Sequence, residues 1–391
     1  MRGANDDRGD GELSIMNTDD SISIPAEDED LDLTPQEQEE LTEAEPAAAP
    51  VVYQGTDFDV EGLVRRLKRG DIVIPTFGHG DPTLETAGFQ RRFVWRKSQM
   101  DRFIESLLLG FPIPGIMLVE QTDKRYLVLD GQQRLRTLAA YYAGLHQGRE
   151  FALENVANEF KGLTYGTLGP EQRRTLDNTF LQATIVKPDG STQSLEAVYQ
   201  VFERLNSGGT QLTPHEIRIA LYPGEFVDLL ASLNGSPSWR SLYGPVSPRV
   251  RDQELILRII ALYMEKPSGY YRPLKKFLNE FLGRYRRLAK FPREKIVKRF
   301  DGAAELLLAG PGKSALRSQS ARINAALTEA LFVGLMTRLD TRKKVDVNQL
   351  MATVERLGKN TELAELILGS TASEESVRRR IDITTAAFAQ I

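Results

Sequence analysis

Residues suited to chemistry concentrate where Tyr126-Leu-Val-Leu-Asp130 runs into Gly131-Gln-Gln-Arg134. An apolar, β-prone run ends in Asp-Gly, and Leu135, Leu138, Tyr142 and Leu145 then recur at helical spacing. A strand that turns on glycine into a helix offers free backbone N–H groups and the positive end of the helix dipole. That geometry suits an anion, phosphate above all. Gln132, Gln133, Arg134 and Thr137 add side-chain donors, and an arginine can hold phosphate through two parallel bonds. Asp130 stands where an N-cap would, with Gln133 three residues on to complete a capping box. The same residues equally describe a plain capped strand–helix junction with a solvated arginine, and both readings stand at this level.

Three other stretches draw notice. Phe89-Gln-Arg-Arg-Phe-Val-Trp95 interleaves aromatic residues with arginines, as an amphipathic strand would, or as a basic edge beside a phosphate site would. Val201-Phe-Glu-Arg-Leu-Asn206 breaks at Ser-Gly-Gly-Thr210, and Thr213-Pro-His-Glu216 reopens a helix as a capping box with Pro in its first turn. Glu216 is thereby a local cap first and a candidate site carboxylate second. Between Lys275 and Arg299 lie Arg284, Arg286, Arg287, Lys290, Arg293, Lys295, Lys298 and Arg299, with Tyr285 and Phe291 among them. That is a footprint for nucleic-acid backbone, or else a solvated basic face over core aromatics.

The elements that must position these residues follow from pattern. Short helices are expected over 60–67 and from Ser98, with Asp101 at its third position, to a stop at Gly110. A hairpin over 115–130 turns at Gln121–Lys124, a strand covers 180–186, and a helix covers 195–205. From Asp252 onward the pattern is helical, over 252–265, 274–288, 293–308, 322–338, 345–357 and 373–388, the last capped by Ser373. The expected organisation is a disordered acidic tail over 1–52, an α/β domain over 53–225, and a helical domain with the basic patch over 226–391.

Composition sets outer limits. The first fifty residues hold 16 Asp and Glu against two Arg, so of the whole-chain net charge of −4 they carry −14, and the other 341 residues carry +10. An acidic tail on a basic body fits autoinhibition of a nucleic-acid groove, or a simple solubilising segment. With no cysteine there are no disulfides, no thiolate metal site and no cysteine nucleophile. The three histidines, His79, His146 and His215, have no zinc spacing. Neither a phosphate-binding G-x-x-x-x-G-K-[ST] loop nor a G-x-S-x-G elbow occurs. No leader-like apolar segment and no uncharged apolar run near ~18 residues is present, so a soluble cytoplasmic protein is expected, with no membrane partner.

In order and spacing, Phe89–Trp95, Gly110-Phe-Pro-Ile-Pro114, Asp130-Gly-Gln-Gln-Arg134 with Thr137, and Val201–Arg218 resemble one family. It is the N-terminal domain of the GmrSD-type, modification-dependent restriction endonucleases, within the wider ParB/sulfiredoxin-like superfamily. The resemblance covers roughly residues 57–290. It implies an α+β fold, a ParB-like α/β core with a large all-helical C-terminal region. It also implies a nucleotide-binding and hydrolysing, DNA-engaging component of an anti-phage restriction system.

Carried over by motif, Asp130, Gln133 and Arg134 would be catalytic. Gln90, Arg91, Gly131, Gln132, Arg134, Thr137, Asn206 and Glu216 would surround the nucleotide, with its base unspecified. Asp130 or Glu216 would hold Mg²⁺, and either carboxylate, or Gln133, would orient the attacking water. The basic run Arg284–Arg299 would meet DNA. Lack of histidine beyond His215 departs from the His-Asn-His nuclease that completes such enzymes, so a partner nuclease subunit is expected. Lack of cysteine excludes the sulfiredoxin reaction. A non-catalytic nucleotide-switched binding module and a metal-dependent DNA nickase are the alternatives.

Overall fold

The computed structural model describes residues 50–75, 95–205, 212–318, 322–341, 343–368 and 371–391. Gln90, Arg91, Asn206, His79 and the acidic segment over 1–49 lie outside the described residues.

Strand β1 (Tyr53–Asp59) runs directly into helix α1 (Val60–Arg69), followed by β2 (Ile72–Val73), α2 (Lys97–Leu108), β3 (Ile116–Glu120) and β4 (Tyr126–Asp130). Helix α3 (Gln132–Ala143) leaves β4, and a small hairpin of β5 (Leu145–His146) and β6 (Arg149–Glu150) follows. Then come α4 (Pro170–Asn178), β7 (Phe180–Val186) and α5 (Thr192–Leu205). The remainder is helical: α6 (Pro214–Leu221), α7 (Glu225–Asn234), α8 (Pro237–Tyr243), α9 (Arg251–Glu265) and α10 (Leu274–Tyr285). It ends with α11 (Arg293–Ala309), α12 (Ala325–Asp340), α13 (Val347–Gly358), α14 (Thr361–Leu366) and α15 (Glu374–Phe388). The fold is therefore mixed α+β, with one small sheet and many helices.

The sheet has the order β1-β7-β3-β4-β2. Its β1/β7 and β3/β4 pairs are antiparallel, while β7/β3 and β2/β4 are parallel. Side chains alternate between the two faces of each strand, and here both faces are covered. Leu118, Val128, Leu181, Ala183 and Ile185 join a core with Leu63 of α1, Phe103 and Ile104 of α2 and Leu135 and Leu138 of α3. Val119, Leu127, Leu129 and Val186 join a second core with Val198 and Phe202 of α5, Ile217 of α6 and the helices that follow. The run Leu127-Val128-Leu129 is apolar at consecutive positions because it is buried on both sides.

Several expected boundaries shift for identifiable reasons. Helix α2 starts at Lys97 rather than Ser98, with Gln99 Oε1 accepting the Arg96 N–H at 2.9 Å. Asp101 is no terminal acid. It is fully buried, paired with Lys97, and accepts from the Glu154 and Asn155 backbone N–H groups at 3.2 and 3.1 Å and the Asn155 amide at 2.8 Å. A buried carboxylate persists only with such partners, and these tie the 154–155 loop to α2. Helix α3 stops at Gly144, in the left-handed region at φ 72°, which leaves Leu145 exposed in the β5–β6 hairpin rather than on the helix stripe. Helix α10 ends at Tyr285 and α12 begins at Ala325, shorter than the expected 274–288 and 322–338. Ser373 does cap the last helix, accepting the Ser376 N–H at 3.1 Å. Among the described residues no helix is long and apolar enough to cross a membrane.

Candidate functional site

The β4–α3 junction is built as the pattern requires, by a different residue than expected. The N-cap of α3 is Gly131, at φ 92°, with no side-chain cap bond. Asp130 is thus the last residue of the strand and caps nothing, and no capping box with Gln133 forms. Only glycine fits the turn. A Cβ at this position would sit 2.5 Å from Ile116 Cγ2, and the backbone is in the region that side chains disfavour.

Freed from capping, the Asp130 carboxylate meets Arg134, one helical turn on, at 2.8 Å. The same guanidinium donates to the Gly115 carbonyl at 2.9 Å, across the start of β3. Arg134 is mostly covered, at 15% exposed, whereas Asp130 is 51% exposed. An ion pair with so exposed a partner contributes about 0–1 kcal/mol. The guanidinium can therefore turn from Asp130 to a ligand phosphate at little cost, while the Gly115 bond keeps it aimed.

Around this junction the polar inventory is incomplete. Gln132 is 5% exposed, yet its Oε1 has no hydrogen-bond partner. Gln133 Oε1 and Arg134 Nε are likewise buried without a partner. Native proteins satisfy the great majority of buried polar atoms, so a group of orphans on the first turn of one helix marks a place that a ligand or water completes. Thr137 does not join them. It is fully buried and its hydroxyl donates to the Gln133 carbonyl at 2.8 Å, so it serves the helix rather than a ligand. Arg136, absent from the sequence reading, does join them: its Nε and one terminal nitrogen are buried and unpartnered.

Glu216 has another employment. Thr213 and Glu216 form the expected capping box of α6, with Thr213 N donating to Glu216 Oε2 at 2.6 Å and Glu216 N to Thr213 Oγ1 at 3.1 Å. Beyond that box, Arg249 donates to the same Oε2 from Nε at 3.2 Å and a terminal nitrogen at 3.0 Å. The carboxylate is 3% exposed. Its charge is matched by Arg249, so among the described residues Glu216 serves the cap and this ion pair, and Asp130 is the carboxylate at the junction itself. Among the described residues no group of three or more His, Asp and Glu is placed to hold a metal.

His215 beside it is fully buried, its Nδ1 3.3 Å from an Arg218 terminal nitrogen. Burial, with Arg218 and Arg258 nearby, holds the imidazole well below its ordinary pKa, hence neutral. The unfolded chain takes up a proton there below about pH 6.5 that the native state refuses. Stability is therefore unaffected by this group at higher pH and falls below pH 6.5, by up to about 1.4 kcal/mol per pH unit. Urea unfolding of wild type and His215→Gln should show their stability difference shrinking as pH drops from 7.5 to 5; a constant difference would contradict a neutral His215.

The basic run is divided by the fold. Arg284 pairs with Glu265 at 2.6 Å, and Lys295 and Arg299 both meet Asp340, at 3.2 and 2.9 Å. Arg286 donates to the Pro223 carbonyl at 2.5 Å, and its burial, with Arg287 adjacent, lowers its pKa. Arg287, Lys290, Arg293 and Lys298 are exposed.

The family model described as the GmrSD restriction endonuclease, N-terminal domain, matches residues 61–223, a span from α1 to the end of α6 that holds the β4–α3 junction and the Thr213–Glu216 box. No curated protein and no solved structure matches the chain. Over residues 61–223, then, this chain is similar to the N-terminal domain of the GmrSD-type restriction endonucleases.

Proposed function

We propose that this protein is the nucleotide-binding and hydrolysing, DNA-engaging component of a restriction system, with its site at the β4–α3 junction. The observation that carries the reading is Arg134, held by the Gly115 carbonyl at the N-terminus of a twelve-residue helix with its buried Nε unpartnered, beside the buried Gln132 Oε1 that lacks a donor. The family match supports the setting: a restriction component has DNA to recognise. We read the sheet and helices α1–α3 as a ParB-like core, on the strength of the strand–glycine–helix junction.

In this reading the first-turn N–H groups of α3 and the Arg134 guanidinium bind phosphoryl oxygens, where fixed donors stabilise developing charge. Gln133 orients the attacking water, a role that an amide fills without changing protonation. Asp130, half exposed and engaged through one oxygen, is a hard-oxygen donor suited to Mg²⁺ together with water and phosphate oxygens. Such an ion would neutralise phosphate charge. A nuclease subunit would use the outcome to cut DNA.

The test is phosphate release by the full chain with each nucleoside triphosphate and Mg²⁺, with and without DNA. Turnover supports hydrolysis. Saturable binding without release would make the junction a switch, and neither binding nor release would leave it a structural turn.

DNA contact is proposed for the exposed cations Arg287, Lys290, Arg293 and Lys298. Reversing two of them, Arg287→Glu with Lys290→Glu, should weaken binding to all sequences alike. It should also reduce the slope of log affinity against log salt by about 2, one counterion per lost phosphate contact. An unchanged slope would place DNA elsewhere.

A further inference from the structure

Among the described residues, three buried arginines are paired with carboxylates, and Arg338 is held by carbonyls and the Thr341 hydroxyl. Arg249 meets Glu216 at 3.0 Å, Arg258 meets Glu254 at 2.6 Å, and Arg380 meets Glu329 at 2.6 Å. Arg136 breaks the pattern. Its Nε and one terminal nitrogen are buried without a hydrogen bond, and no described carboxylate pairs with it. Burial alone lowers its pKa, the mark of a cation partly removed from water without compensation. A fold has no reason of stability to keep such a group.

Helix geometry shows what it could reach. At about 100° of turn per residue, Arg136 lies about 160° around α3 from Arg134, and between Gln132 and Gln133 in azimuth. Side chains on a helix lean toward its N-terminus. Arg134 and Arg136 therefore extend forward past opposite sides of the same helix end, with the orphan amides on Arg136's side. One phosphoryl group cannot lie against both sides, whereas a chain of them can.

We propose that Arg136 is a ligand-holding residue: it takes a second phosphoryl group of a polyphosphate whose first is held by Arg134 and the α3 N-terminus. This rests on the nucleotide reading of the junction and adds to it the residue that holds the second of the ligand's linked phosphoryl groups. The unpartnered Oε1 of the 95%-buried Gln132 on the same side is independent support, since this acceptor needs a donor beside the phosphoryl groups, a water or a ligand hydroxyl or amino group.

The assignment makes opposite predictions for stability and for binding. In thermal melting of the full chain, Arg136→Met should raise the melting temperature without ligand, because an uncompensated buried cation is gone. For wild type, a Mg²⁺-nucleoside triphosphate at a hundredfold its Kd should add about 5 °C. Arg136→Met should lose most of that increment. Orthophosphate should stabilise both proteins equally and weakly.

A lowered melting temperature with the nucleotide response intact would reveal an ordinary structural arginine and overturn the proposal, as would a raised one with the response intact. Should Arg136→Met lose both stability and response, Arg136→Lys decides. A restored fold with a weakened response supports the assignment, and a full response overturns it. If wild type responds to inorganic tripolyphosphate but to no nucleotide, and Arg136→Met abolishes that, the nucleotide reading fails while Arg136 keeps its role. No response to either probe sinks both.

Discussion

Arg134→Ala should abolish nucleotide turnover, by roughly 10²–10³-fold or more, while leaving a folded protein. The two halves of that result have separate physical sources. In the folded state the guanidinium makes one bond to the Gly115 carbonyl at 2.9 Å and one to the half-exposed Asp130 at 2.8 Å. A neutral acceptor contributes about 0.5–1.5 kcal/mol and an exposed ion pair less than about 1 kcal/mol. A loss near 2 kcal/mol leaves most domains folded.

Against a phosphoryl group the same guanidinium acts as a fixed, doubly donating cation in a site shielded from water, where its interaction is several times stronger. Arg134→Lys should retain a small part of the activity, because a lysine supplies charge without the planar fork. Phosphate release, paired with a thermal melt of each variant, separates the two effects. Turnover within twofold of wild type in Arg134→Ala would remove Arg134 from the site.

How far the sequence foretells this site depends on whether the contacts are local. The strand–glycine–helix junction is legible because Tyr126–Leu129 and the Leu135, Leu138 spacing lie within one short window, and Thr213–Glu216 is legible as a capping box because a box spans four residues. Asp130 reads as an N-cap from its neighbours, but Gly131 at φ 92° takes that position and turns the carboxylate to Arg134. Polar strand β1 shows no apolar alternation, since as an edge strand with exposed residues it needs none, and it is missing from the expected elements. Helices α7 and α8 are also absent from the expectation, each too short to show more than two or three turns of pattern.

Long-range pairing is where sequence reading fails. Glu216 meets Arg249, 33 positions on, and the basic run loses Arg284, Lys295 and Arg299 to Glu265 and Asp340. Nothing local announces those partners. Arg136 fails in the other direction: an arginine on a helix reads as solvated, and only the fold shows its nitrogens to be covered.

The largest loss of stability is expected at Glu329→Gln, far from the junction. Glu329 on α12 is 2% exposed and receives Arg380 of α15 at 2.6 Å and Arg258 of α9 at 3.5 Å. Arg258 in turn holds Glu254 at 2.6 and 2.9 Å, and Arg218 of α6 lies 3.9 Å from that carboxylate. The chain of charges thus runs from the C-terminal helix to a helix inside the family-matched span. Desolvating such a set costs nearly what its mutual attraction returns, so the intact network adds little net stability. Breaking it is different.

A glutamine keeps the shape and one acceptor but removes the charge between two buried guanidiniums. Arg380 and Arg258 then face each other across a neutral group, and about 3–5 kcal/mol is the ordinary penalty for a buried charge left without its counterion. That is a third or more of a typical domain's stability. Replacing the pair together, Glu329→Leu with Arg380→Met, should recover most of it, because Arg258 keeps its close partner Glu254 and no buried charge is left without a counterion. The cleft these side chains line, with Tyr270, Leu262 and Val377, is otherwise apolar enough to receive them. Urea unfolding of the single and double variants measures both arms. A Glu329→Gln loss below about 1 kcal/mol would mean that water reaches the network, and a double variant no better than the single would mean that the charges, rather than the shape, hold α12 and α15 together.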